Sequence, residues 1–135
     1  MDYRQAPPKD AGPIADLIQQ TWGNAVAPAW IAEMLTSTDH VVWTAAMPDG
    51  QCVGFCASFM TRDIAGLLRW EIDLLAVHPL ARRRGIGRAL VAKCVAEGWR
   101  RQALVQRALI SVDNGPSGRC FAANRFVPGE PCDLW

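Results

Sequence analysis

The chain has 135 residues, half of them apolar and a fifth charged, which suits one domain (residues 1–135) built around one core. No apolar run approaches the ~20 residues that span a bilayer. Met1-Asp2-Tyr3-Arg4-Gln5 lacks the basic-then-apolar layout of a signal peptide, so a cytoplasmic protein without a membrane partner is expected.

In chain order, residues 2–6 read as a short opening strand. Pro7-Pro8-Lys9-Asp10 leads into a helix with Ile14, Leu17, Ile18 and Trp22 at i, i+3, i+4 and i+8. Trp22-Gly23-Asn24 breaks it, and Pro28 opens a second helix to about Leu35, with Trp30, Ile31 and Met34 on one side. Val41–Ala46 and Cys52–Met60 are strand-like runs joined by the turn signal Pro48-Asp49-Gly50. Leu67–Val77 is a third strand, closed by Pro79. A helix is expected from about Arg88 to Gln102, with Leu90, Val91, Cys94, Val95 and Trp99 as its packing stripe. Leu104–Val112 reads as a strand, the segment up to Asn124 as a short helix, and Phe126–Trp135 as a last strand. The order β-α-α-β-β-β-α-β-α-β is that of an α+β layer fold, with helices covering a central mixed sheet.

Five cysteines (Cys52, Cys56, Cys94, Cys120, Cys132) form no CxxC pair, and neither His40 nor His78 sits at zinc-ligand spacing, so reduced packing thiols and no metal are expected. Charge is distributed unevenly. Residues 1–79 carry four basic and nine acidic groups, a net of −5, whereas residues 80–135 carry ten and four, a net of +6. Twelve of the fourteen cations are arginine, and four of these lie between positions 82 and 88. So dense a cluster in a chain of net charge +1 suits a small anionic ligand; a nucleic-acid track needs a broader basic face.

That cluster lies where a strand feeds a loop opening onto a helix: Leu74-Leu75-Ala76-Val77-His78-Pro79-Leu80-Ala81-Arg82-Arg83-Arg84-Gly85-Ile86-Gly87-Arg88. The first turn of a helix has unpaired N–H groups and a partial positive charge, which together make an anion site. Gly85 and Gly87 let phosphate oxygens approach the backbone. Arginines add bidentate, charge-assisted contacts. The loop is neither a dinucleotide GxGxxG, since Leu90 takes the third glycine's place, nor a phosphate loop ending in Gly-Lys-Ser/Thr.

Arg82-x-x-Gly85-x-Gly87, with Val77-x-Pro79 before it and Arg88-x-Leu90 after, resembles the coenzyme A motif (Gln/Arg)-x-x-Gly-x-(Gly/Ala) of the GCN5-related N-acetyltransferase (GNAT) family. The element order resembles the family fold over nearly the whole chain. The resemblance implies that the backbone of Leu75, Ala76 and Val77 pairs with the pantetheine arm of acetyl-CoA. It also implies that the amides of Arg82, Arg83, Arg84, Gly85, Ile86, Gly87 and Arg88 hold the pyrophosphate, with the acetyl group where this strand and Leu104–Val112 splay apart. Downstream, Asn114-x-x-Ser117…Phe121…Phe126 is similar to the family's Asn-x-x-Ala-x-x-(Leu/Phe)-Tyr-x-x-x-Gly-Phe. Asn114 would then touch the pantetheine arm. Phe121 stands in place of the tyrosine that usually protonates the departing thiolate, and Arg125 in place of the capping glycine.

An attacking amine must be neutral, so a carboxylate base is expected. Glu71 and Asp73 lie on the strand before the loop, on one face by alternation, and Glu71 stands eleven residues before Arg82, as a catalytic glutamate does in several lysine-acting GNAT enzymes. Apolar neighbours should raise its pKa; the alternative is that Glu71 and Asp73 pair with Arg62 or Arg69 on an open face. Trp22, Trp30, Trp43 and Trp70 are candidates for the acceptor cleft. The expected activity is acetyl transfer from acetyl-CoA to a primary amine of a small molecule, a lysine or a protein N-terminus. The alternative is a catalytically weak CoA-binding sensor or partner-binding domain. The nine residues after Phe126 are few for two closing strands, which suggests that one is absent or is borrowed from a second subunit in a homodimer.

Overall fold

The computed structural model describes residues 1–129. Five strands, β1 (Asp2–Gln5), β2 (His40–Ala46), β3 (Cys52–Arg62), β4 (Leu68–Val77) and β5 (Val105–Arg107), form one sheet in the order β1-β2-β3-β4-β5. The first four are antiparallel neighbours and β5 runs parallel to β4. The helices are α1 (Ala11–Trp22), α2 (Pro28–Thr36), α3 (Ile86–Arg100) and α4 (Gly115–Ala123). A parallel β4–β5 pair needs a crossover, and α3 supplies it.

The sheet is buried on both faces. Trp70, Ile72, Leu90, Val91 and Cys94 form the core under α3, while Ile14, Leu17, Ile18, Val42, Phe55 and Ala76 form the core under α1 and α2. Trp70 is fully buried and donates its indole N–H to the carbonyl of Cys94 at 2.9 Å, which satisfies its one polar atom.

The expected periodicities place most elements, with four corrections. The strand expected over Leu104–Val112 is paired only at Val105–Arg107, because past Glu71↔Arg107 the chain turns away from β4. Trp30 and Met34 of α2 and Trp99 of α3 project to solvent, leaving Ile31 as the buried residue of α2. Of the strand expected over Phe126–Trp135, residues 126–129 are irregular and the rest lies outside the described residues, as does Cys132. Finally, β4 does not alternate throughout. Ile72 lies opposite Ser58 and Leu74 opposite Ala57, so Asp73 is an extra residue with no partner across on β3. Trp70 and Ile72 enter the α3 core before this bulge, and Leu75 and Val77 pack against it afterwards. Asp73 and Leu74 are thereby left together on the opposite face.

At the end of α4, Arg125 takes a left-handed conformation (φ 70°), the position that favours glycine. The N–H of Phe126 bonds the carbonyl of Phe121 (3.1 Å), that of Arg125 bonds Ala122 (3.0 Å), and the two phenylalanine rings meet edge-on at 5.0 Å. This is a Schellman closure with its hydrophobic contact, made without glycine.

Candidate active site

The loop between β4 and α3 is held at both ends. The Nδ1 of His78 accepts the N–H of Leu80 at 3.1 Å, capping the turn Pro79–Ala81, and the Nε of Arg82 donates to the carbonyl of Val77 at 3.2 Å. Arg83 (φ 64°) and Gly85 (φ 75°) are both left-handed, and Gly85 caps α3. The first helical bond runs from the Ala89 N–H to the Gly85 carbonyl. The N–H groups of Ile86, Gly87 and Arg88 therefore precede any helical acceptor, as at every helix start. Gly87 is buried, and a Cβ there would lie 2.8 Å from the Cys120 sulfur and 3.7 Å from Leu75 and Val77. Its missing side chain is what allows α4 to pack this close to α3.

These elements bound a cleft of about 580 Å³, lined by Leu75, Ala76 and Val77, by Arg82, Arg83, Gly85, Ile86, Gly87 and Arg88, and by Asn114, Ser117 and Cys120 on the α4 side. Arg84 is the one residue of the expected loop set that is not on this lining. The site fits an extended ligand with an anionic middle: helix-start amides and arginines at one end, a strand edge leading away from them. Asn114 lines the cleft, and its side-chain oxygen accepts the Ser117 N–H at 3.2 Å as the N-cap of α4.

A second, smaller depression lies where β4 and the chain after β5 diverge. Ile72, Asp73, Leu74 and Leu75 form one wall, and Leu109, Ile110 and Ser111 the other. The two depressions share Trp22, Leu75, Asn114 and Ser117, so they adjoin. Phe121 borders the small one but is 4% exposed and belongs to the α3 core. Tyr3, on β1, packs on that core from the far edge of the sheet.

The two carboxylates have opposite environments. Burial pushes Asp73 up from the usual range, helped by the charge of Glu71 and opposed by backbone N–H groups and His40. Burial would also raise Glu71, but the Arg107 guanidinium, the Thr61 hydroxyl and Arg69 outweigh it and hold that carboxyl low. The raised pKa expected for Glu71 is thus corrected. Arg107 grips both its oxygens (2.5 and 2.9 Å), Thr61 donates to one (2.7 Å), and Arg69 stands 3.9 Å away. Arg62 instead reaches the Gly66 carbonyl. Glu71 lines neither depression, whereas Asp73 lines the small one.

Of the four tryptophans expected around the cleft, only Trp22 lines it, edge-on to Phe55 at 6.1 Å. Trp43 packs on the α3 core under the Lys93 ammonium, Trp70 is internal, and Trp30 is 73% exposed. The role of Arg107 and the contact of Cys120 with Gly87 are not visible in the sequence. Arg107 is one of many exposed arginines until strand pairing sets it beside Glu71, and nothing local marks Cys120 as the neighbour of Gly87.

Residues 12–124 match the acetyltransferase (GNAT) family. Among curated proteins, none matches. Among solved structures, the chain resembles a mutant of the BH1408 protein from Bacillus halodurans (TM-score 0.86, 13% identity, 100% of this chain and 98% of that one). It also resembles aminoglycoside N-acetyltransferase AAC(6')-Iy in complex with CoA (0.85, 21%, 99% and 92%). A third is ribosomal-protein-alanine N-acetyltransferase from Brucella melitensis (0.78, 19%, 100% and 98%). These identities speak for a shared fold, and the match over residues 12–124 for common descent. The chain belongs to the acetyltransferase (GNAT) family.

Proposed function

We propose that the chain, as one catalytic unit, transfers the acetyl group of acetyl-CoA to a primary amine by direct attack in a ternary complex, with Asp73 as the base. The observation that carries this reading is that the two depressions adjoin, with Trp22, Leu75, Asn114 and Ser117 as walls of both. A thioester lying along Leu75–Val77, its pyrophosphate over the α3 amides, ends beside the depression that holds Asp73. Amine-acetylating proteins among the structural neighbours support the same reaction class.

The amine nitrogen attacks the thioester carbonyl, the carbonyl reforms, and the carbon–sulfur bond breaks. The amine proton passes to Asp73, directly or through water, and the sulfur departs as thiolate and takes a proton from solvent. A carboxyl with a raised pKa is a better match to this task near neutrality than one held low. Glu71, of the two carboxylates the weaker candidate for base, is a positioning residue here: its pair with Arg107 fixes the place where β5 leaves β4. Phe121 offers no proton. Thiols have pKa ~8.5, so a thiolate leaves without a dedicated acid, and the half-buried thiol of Cys120 lies on the cofactor cleft.

The test is thiol release from acetyl-CoA across a panel of amines, together with CoA affinity by calorimetry. Asp73→Asn should lower kcat by about 10²-fold or more with CoA affinity within about twofold. Tight CoA binding with no turnover on any amine favours a sensor domain. Full activity in Asp73→Asn rejects the assignment of the base.

A further inference from the structure

Resting on the acetyltransfer reading, the geometry points to the class of acceptor: an amine that also carries a carboxylate, held by the terminal guanidinium nitrogens of Arg69 and Arg107 while its amine meets Asp73. Arg69, Glu71 and Asp73 follow one another on the face of β4 turned away from α3. Thr61 pairs with Arg69, and Arg107 with Glu71, from the strands on either side. On β5 Gln106 turns to α3, donating to the Val95 carbonyl at 2.9 Å, while Arg107 stays largely exposed beside Glu71.

Two guanidinium groups here meet one carboxylate, which leaves a local charge of +1. Glu71 is already saturated by Arg107 and Thr61. Arg69 uses its Nε on the Thr61 hydroxyl (3.1 Å), and neither of its terminal nitrogens has a hydrogen-bond partner among the described residues. Arg107 uses Nε and Nη2 on Glu71, leaving Nη1, and its side chain is 55% exposed. Unpaired guanidinium donors fixed by a neighbouring pair are set up for a second carboxylate. Asp73 is a separate anion two residues along the strand, on the order of 7 Å away. Its side of the small depression suits the cationic end of the acceptor before deprotonation. A polycationic acceptor would meet this arginine pair unfavourably, while an acceptor with opposite charges at its two ends matches both.

The spacing makes chain length a ruler. Acetyl transfer is measured with ω-amino acids of increasing methylene number, each against the amino alcohol of equal length, and with the C-terminally amidated dipeptide Ala-Asp against amidated Ala-Asn. The native chain, Arg107→Met and Arg69→Met are compared. Expected is a kcat/KM preference for the acid of about tenfold, peaking at an intermediate length and falling toward unity in both variants. Preference confined to Ala-Asp would support the carboxylate site and assign it to a peptide; confined to the amino acids, to a small molecule. Equal rates for acid and neutral partners in the native chain, or a preference that survives both substitutions, overturn the proposal. Should Arg107→Met fail to fold, Arg69→Met carries the comparison. Absence of turnover on every amine despite CoA binding rejects the acetyltransfer reading itself, and the acceptor site with it.

Discussion

The contact between Gly87 and Cys120 gives a prediction whose sign can be worked out in advance. A Cβ at Gly87 would stand 2.8 Å from the Cys120 sulfur, about 1 Å inside a comfortable contact, while Leu75 and Val77 at 3.7 Å would accept it. Overpacking of this kind costs about 1–3 kcal/mol. Alanine in place of glycine inside a helix returns up to ~1 kcal/mol, less at the second residue of α3, where Gly87 lies. Gly87→Ala should therefore destabilise by about 1–2 kcal/mol, or about 3–6 °C in Tm for a domain of this size. In a Cys120→Ala background the obstacle is gone and only the propensity gain remains. There the same substitution should be neutral or stabilising by a few tenths of a kcal/mol. Urea denaturation of the four proteins of this cycle gives the coupling, expected at ~1–2 kcal/mol. If Gly87→Ala costs the same with and without the Cys120 sulfur, the steric reasoning is refuted and α4 is held against α3 by something else.

Four further outcomes are expected. Arg125→Gly should raise stability by about 0.5–1 kcal/mol in denaturant melts, since the left-handed penalty of a side chain exceeds glycine's entropic cost there. Glu71, whose pKa is lowered on folding, contributes stability above its unfolded pKa and loses it as pH falls through the folded one. Glu71→Gln should therefore lower Tm at pH 7, with the deficit shrinking as pH falls below the ordinary glutamate range and vanishing only below the lowered folded pKa. Asp73, whose pKa is raised, has the opposite sign: its ionised form opposes folding above the folded pKa, so Asp73→Asn should raise Tm at pH 7 and have little effect below the usual Asp range. Gly98→Ala should be among the most damaging small substitutions, because its Cβ would lie 2.6 Å from both Trp70 Cδ1 and the Gln106 amide nitrogen; thermal melts test it.

The helices and the first four strands were legible because their signals are local. Ile14, Leu17 and Ile18 repeat at helical spacing, and Pro48-Asp49-Gly50 punctuates a hairpin. The Gly85–Gly87 loop was legible for the same reason, since its chemistry belongs to a helix start. What escaped depends on pairing across the sheet. Alternation along 67–77 predicts an even strand, and nothing in Ile72-Asp73-Leu74 says that Ser58 and Ala57 will leave Asp73 unopposed. The short β5 has a similar cause, because the apolar residues at 108, 109, 110 and 112 do not reveal that the chain turns away from β4 after Arg107. The family resemblance points to Glu71 as a base, while the residues that hold its pKa low are set beside it only by strand pairing and the strand's own neighbours.

The unopposed Asp73 has a consequence for how this strand tolerates change. Before it, the even-numbered residues Trp70 and Ile72 serve the α3 core; after it, the odd-numbered Leu75 and Val77 do. The strand thus has two hydrophobic phases, joined by one residue whose side chain is free for chemistry. Deleting Asp73 or Leu74 would leave one even alternation in which Trp70, Ile72, Leu75 and Val77 still face α3, so the cleft would keep its wall and only the bulge would be lost. Substitutions at Asp73 are thus expected to be separable from the fold, and a one-residue shortening at the bulge is expected to spare the core while removing the kink that presents this side chain.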